Sequence, residues 1–171
     1  MTFLHARFIK AFSLIEVTIS LVIVGVLFVA ALSTLAASKR HERKVLDIRR
    51  GQLLAQGLMS EILRQPYWDP ATGGGMGPRA TEAATDDRSL FDDVDDFNGW
   101  QSSVPKRRNG NAIPSATGWE RFVKIAWLDP DDLDLVTGVE TGIKRIIVTV
   151  KHYGITIAEL WAIRTNVREL S

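Results

Sequence analysis

Hydrophobic and polar positions change period along this chain, and the changes divide it. From Val17 through Ser38 no residue carries a charge, and at about 1.5 Å per residue such a run makes roughly 33 Å of helix, enough to cross the hydrocarbon of a bilayer. From Ser38 to Gln65 there is neither proline nor a run of turn residues, and apolar side chains recur at Val45, Ile48, Leu54 or Ala55, Leu58, Ile62 and Leu63, close to the helical period. The pattern predicts one continuous helix. Its first half, 12–38, suits a membrane, and its amphipathic second half, 39–65, lays one face on a folded domain. Gly51 and Gly57 weaken that second half by up to about 1 kcal/mol each relative to alanine. Pro66, followed by Tyr67-Trp68-Asp69-Pro70, ends the helix.

Residues 66–118 read as a loop-rich connection. Thr72 to Gly77 contains four glycines, and the stretch onward to Arg88 is small, polar and acidic, too poor in apolar residues to fold alone. The glycine run lacks the Gly-Lys-Ser/Thr ending and the preceding strand of a phosphate cradle, so a long flexible connection is the preferred reading. The period then becomes two. Arg121 to Leu128, Ile143 to His152 and Ile155 to Thr165 are rich in β-branched and aromatic residues, and only Tyr153-Gly154 separates the last two, which predicts an antiparallel hairpin. Ile146, Val148 and Val150 alternate with Ile147, Thr149 and Lys151, giving one core face and one partly wet face. Asp129-Pro130-Asp131-Asp132 is the turn that ends the first of the three strands. The expected fold class is α+β, with a long N-terminal helix packed on a small antiparallel sheet formed by 119–171.

Glu16 is the anomaly at the head of the apolar run, because a carboxylate at the edge of a membrane span needs neutralisation or a partner. The residues around it, Lys10-Ala11-Phe12-Ser13-Leu14-Ile15-Glu16-Val17, resemble the N-terminus of type IV prepilins and type II secretion pseudopilins. In that family a basic leader ends in a small residue and is followed by Phe-Thr/Ser-Leu-Ile-Glu-Val and a long apolar helix. The resemblance implies a leader at 1–11, cleavage between Ala11 and Phe12 by prepilin peptidase, methylation of the new Phe12 amine, and Glu16 as the assembly charge that meets a neighbouring subunit's amine. The family usually has Gly where this chain has Ala11, a substitution that keeps the site small. It also implies a pilin-like fold, partnership with other pilin or pseudopilin subunits and with inner-membrane lipid, and a single-pass inner-membrane protein with its N-terminus cytoplasmic and its C-terminal domain periplasmic. Two basic residues, Arg7 and Lys10, precede the span whereas Lys39, Arg40, Arg43 and Lys44 follow it, so a plain count of positive charge points to the opposite orientation. The motif takes precedence by analogy with the family.

Composition narrows the function classes. With Lys+Arg 21 against Asp+Glu 20 the formal charge is +1, a near-neutral balance that argues against nucleic acid as the partner of the whole molecule. Absence of cysteine excludes a disulfide framework and thiolate metal sites. Within Phe91 to Trp100 the carboxylates Asp92, Asp93, Asp95 and Asp96 offer the hard oxygens that calcium takes, and some major pseudopilins hold calcium in a loop. The segment is not an EF-hand, since Gly99 at loop position six would put Val94 at position one and Pro105 at position twelve. A solvated, helix-capping or turn-forming acidic loop is the preferred reading and calcium the alternative, so no cofactor is assigned. The phrase Phe91-Asp92-Asp93-Val94-Asp95-Asp96 also resembles one found in minor pilin-like proteins of the MSHA pilus, which favours a minor subunit.

Lys106-Arg107-Arg108, with Trp100 and Trp119 nearby, has the ingredients of a single-strand DNA site, but a solvated basic loop is the preferred reading. His5, His41 and His152 fall into no zinc or triad spacing, and nothing marks a pocket around Asp131 and Asp132, so no catalytic residue is assigned. The five tryptophans are read as core and interface packing, with Trp161, central in the last strand, expected to be buried. The sequence therefore predicts a structural filament subunit. Its rivals are a filament-tip module binding DNA, secreted protein or a surface through loops between Gly73 and Gly118, and an uncleaved, signal-anchored periplasmic protein.

Overall fold

The computed structural model describes residues 13–71, 75–83 and 88–166. Ala11 and Phe12, the expected processing junction, lie outside the described residues. A single α-helix, α1, spans Leu14–Leu63, and the chain divides after Lys44 into two units.

In the first unit every described residue, Ser13 to Lys44, is exposed. Its helix is long and apolar enough to span a membrane. The hydroxyls inside the apolar run do not compete with the helix for water. Thr18 donates to the Ile15 carbonyl at 2.8 Å, Ser20 to Glu16 at 2.7 Å, Ser33 to Val29 at 2.9 Å and Thr34 to Ala30 at 3.0 Å. Each of these four hydroxyls is thus satisfied by its own helix, as a helix surrounded by hydrocarbon requires.

The second unit is an α+β domain. From Val45 to Leu63, α1 turns Leu54, Ala55, Leu58, Met59 and Ile62 inward, a stripe at helical spacing. This stripe covers an antiparallel sheet of β1 (Gln101–Ser102), β2 (Trp119–Leu128), β3 (Val136–Thr137), β4 (Ile143–His152) and β5 (Ile155–Thr165), ordered β1-β2-β4-β5 with β3 added to β2. Inward residues Val123, Ile125, Ile146, Val148, Val150 and Ala158 complete the core. The β4–β5 hairpin turns on Tyr153 and Gly154, both at positive φ (49° and 79°), the conformation that matches the twist of a two-residue hairpin loop. The predicted limits of β4 and β5 are those observed, β2 starts at Trp119 rather than the predicted Arg121, and β1 and β3 are additions that the sequence reading did not anticipate.

Two expectations need correction. Trp161 is 69% exposed, and the buried tryptophan is Trp119 at 2%. A register shift between Val150 and Lys151 is the cause. His152 pairs with Ile155, but beyond the bulge Ile147, not Ile146, stands opposite Trp161, so the indole turns to the outer face.

On either side of the glycine-rich stretch the loop-rich connection contributes to the core, supplying Tyr67, Phe91, Val94, Phe97 and Ala116 to the interior. A 3-10 turn, Asp95–Phe97, presents Phe97 edge-on to Phe91 with ring centroids 5.0 Å apart. Backbone bonds then tie this segment to its surroundings, with Val94 N–H donating to the Pro66 carbonyl at 3.1 Å and Gly99 N–H to Val123 at 3.1 Å.

Finally, Gly51 is more than a weak point in the helix. A Cβ there would lie 2.6 Å from Ile157 Cγ2 and 3.3 Å from Trp119, so its bare backbone is what lets helix and sheet close up. Ile157 is the extra residue of the β5 bulge.

Candidate functional site

Two kinds of site emerge: the exposed head of α1 and a buried polar layer under the sheet. Glu16 occupies the first turn of α1 and is exposed. A carboxylate there is favoured by the helix dipole.

The polar layer is built from the loop that reads as acidic in sequence, but it is not a solvated loop. Asp93, Asp95 and Asp96 are exposed by only 2%, 1% and 2%. The turn-forming and capping part of the expectation matches the bonds seen. Asp93 Oδ1 accepts from the backbone N–H groups of Asp95 and Asp96, and Asp96 Oδ2 accepts from those of Asp92 (2.8 Å) and Asp93 (3.2 Å). These side chains stand in for the helix backbone where the turn is too short to satisfy itself. Burial is the largest influence on their protonation, pushing the Asp93 carboxyl up to about 6 and that of Asp96 to about 7.

Two sets of carboxylates gather closely enough to consider a cation: Asp69, Asp92 and Asp93, and Glu82, Asp92 and Asp96, each set with oxygens within 4.8 Å of one another. A guanidinium stands among them. Arg79 pairs with Asp69 at 3.2 Å, with Asp92 at 3.2 Å and, through both Nε and Nη2, with Glu82. The hydrogen bond from Arg79 holds the Glu82 carboxyl below its ordinary range. Calcium needs six to eight oxygens. Here Arg79 and backbone N–H groups already engage members of both sets, so the arrangement fits an internal cation better than a metal.

On the other side of the turn Lys144 is fully buried, its Nζ 2.7 Å from Asp95 Oδ2 and donating to the Tyr67 carbonyl at 2.7 Å. The Tyr67 ring lies 3.8 Å from that nitrogen, and the Tyr67 hydroxyl donates to Glu140 at 2.6 Å. Burial, with help from Glu140, pushes the Tyr67 phenol well above its ordinary value.

A basic counterpart lies beneath β2. Arg88, fully buried, makes a two-pronged pair with Glu61 (2.8 and 3.0 Å) and stacks 4.4 Å over Trp100, while Arg121 covers the same ring at 5.3 Å. Both guanidiniums donate to the Lys106 carbonyl, at 3.1 and 2.6 Å. Arg121, desolvated and beside Arg88, is drawn down to about 10. Arg108 donates to the Phe91 carbonyl at 2.7 Å. Trp100, the Lys106 carbonyl and the Arg108 guanidinium are thus engaged in holding the loop, although Arg107 and Arg108 are both exposed. Of the other singled-out residues, His152 stacks on Trp119 with centroids 4.2 Å apart, while His41, Asp131 and Asp132 are exposed.

Sequence reasoning missed Arg88, Arg121 and Lys144. For two of these a signal existed: Arg121 has the parity of Trp119, Val123 and Ile125 on β2, and Lys144 that of Ile146, Val148 and Val150 on β4. A charge that continues an inward-facing alternation must find an internal partner. Comparison of the chain with protein-family models, with curated proteins and with solved structures returns no match.

Proposed function

We propose that this protein is a structural, minor subunit of a type IV pilus-like or type II secretion pseudopilus filament, processed between Ala11 and Phe12 and assembled through its N-terminal helix. The observation that carries the reading is the coincidence of the Phe12-Ser13-Leu14-Ile15-Glu16-Val17 motif with a charge-free helical stretch in which every described residue is exposed. Such a surface is stable in lipid or against copies of itself, and it is costly in water. Cleavage would leave a positive amine on Phe12, four positions from Glu16. In a low-dielectric stack the carboxylate of one subunit neutralises the amine of the next, a pair that fixes register even where its net stabilisation is modest. Before assembly the same helix would hold the subunit in the inner membrane, with the domain from Val45 onward in the periplasm. The acidic phrase at Phe91 to Asp96, shared in outline with minor pilin-like proteins, supports a minor role, and its internal bonds suit a scaffold more than a ligand site.

The test is Glu16→Ala expressed in the native host. Membrane insertion should persist while recovery of the subunit in sheared filaments falls by at least tenfold. Unchanged incorporation would defeat the charge-pairing account.

A further inference from the structure

The Lys144–Asp95 contact has features that an ordinary ion pair does not need. Both side chains are buried, at 0% and 1% exposure, and Nζ lies 2.7 Å from Oδ2. Around them are the Tyr67 ring at 3.8 Å and the Trp68 ring at 5.2 Å, and the other Asp95 oxygen, Oδ1, is buried with no hydrogen-bond partner. A third group completes the arrangement. Glu140 Oε2 lies 3.9 Å from Nζ, and this carboxylate is oriented by the Tyr67 hydroxyl at 2.6 Å and the Gly142 N–H at 2.7 Å while remaining 25% exposed.

We propose that Lys144 and Asp95 condense into an intramolecular isopeptide bond, with Glu140 relaying the proton. The 2.7 Å contact between Nζ and Oδ2 gives the proton a direct path from the ammonium to the carboxylate. Burial acts in the same direction on Asp95, whose carboxyl is pushed above its ordinary range. The neutral amine, still donating one hydrogen to the Tyr67 carbonyl, attacks Cγ of the protonated carboxyl and forms the N–C bond. Glu140 accepts the proton released by nitrogen and returns it to an Asp95 hydroxyl, the C–O bond breaks, and one water leaves. No oxidant or activated co-reactant enters the balance. The uncatalysed reaction of an amine with a carboxylic acid is slow, and fixed contact replaces chance encounter by effective concentrations on the order of 10⁵–10⁸ M. The product ties the Asp95 turn to β4 across a sequence separation of 49 residues, in a chain that has no cysteine to make such a tie.

Peptide mapping of the full-length protein, extracted in detergent from its host, tests this. After tryptic digestion the peptides carrying Asp95 and Lys144 should be recovered joined, at their summed mass less one water, and cleavage after Lys144 should be lost. In Glu140→Gln, whose retained fold is checked by circular dichroism, the joined fraction should drop by roughly 100-fold, the usual range of a positioned proton carrier. Recovery of wild-type Lys144 with a free amine overturns the proposal. So does a dehydrated Asp95 peptide that is not linked to Lys144, which would report cyclisation of the aspartate alone. Should Glu140→Gln fail to fold, the wild-type map decides by itself.

Discussion

The two halves of α1 are made of the same secondary structure under opposite solvent rules. Up to Lys44 every described residue is exposed, and the helix carries its apolar side chains outward with its hydroxyls bonded back to its own carbonyls. From Val45 onward Gly51, Leu54, Ala55, Leu58, Met59 and Ile62 are buried against a sheet while the opposite face meets solvent. The second half draws its stability from its own domain. The first half has no such source among the described residues, and it is long and apolar enough to span a membrane. A continuous helix therefore serves as two devices, and the charge pattern along it, not its geometry, tells them apart.

That contrast can be broken most forcefully inside the domain. Lys144→Ala should destabilise it by about 3–5 kcal/mol, because Asp95 is left buried without its partner, and a urea titration of the membrane-extracted protein reads the loss. Next in size comes a paired truncation. Leu58→Ala, at a 1% exposed position, should cost about 2–5 kcal/mol. Leu27→Ala, 63% exposed, should change the domain's stability by less than about 0.5 kcal/mol. Equal effects would erase the distinction between the two halves. Gly51→Val presses a branched side chain on Ile157 and Trp119 and should cost about 1–3 kcal/mol, whereas Gly57→Ala, with open space around it, should be neutral or gain up to about 1 kcal/mol.

The smallest effect concerns pH. Asp93 and Asp96 have folded-state values raised to about 6 and about 7, so the folded state holds their protons more tightly than the unfolded chain does. Their contribution is greatest below the unfolded carboxylate range and is lost as pH rises through 6 and 7. The thermal midpoint should therefore fall between pH 5 and pH 8, the window in which both carboxyls ionise in the folded state. Asp96→Asn, which keeps an acceptor for the Asp92 and Asp93 N–H groups, should flatten that slope. Because Arg79 already neutralises the neighbouring carboxylates, adding calcium in place of chelator should leave the midpoint where it is. A calcium-dependent rise would mean that the guanidinium yields to the ion.

How much of this was legible in the sequence depended on whether a pattern survives one irregular residue. The hairpin was legible because Tyr153-Gly154 sits between two period-two runs, and α1 because no breaker interrupts it before Pro66. Trp161 was misplaced because one bulge residue, Ile157, reverses the parity of everything after it, and nothing in the local composition announces a bulge. Phe91, Val94 and Phe97 did not read as core because they are single apolar residues set among carboxylates, with no run to give a period. The acidic loop's bonds to its own backbone were foreseen in kind, as capping, while its burial depended on Arg79 and Lys144, partners distant in sequence. Glu16 was legible as an anomaly from its place at the edge of the apolar run, and only the resemblance gave it an amine to meet.

The central claim is that the exposed apolar half of α1 belongs to a processed filament subunit. Its most direct test is the mass of the N-terminal peptide of the protein extracted from its own host, beside a strain lacking prepilin peptidase. The account predicts a chain beginning at methylated Phe12 in the first strain and at the uncleaved leader in the second. A chain that keeps its leader in both would contradict it, making the helix a plain membrane anchor and leaving Glu16 without a partner amine.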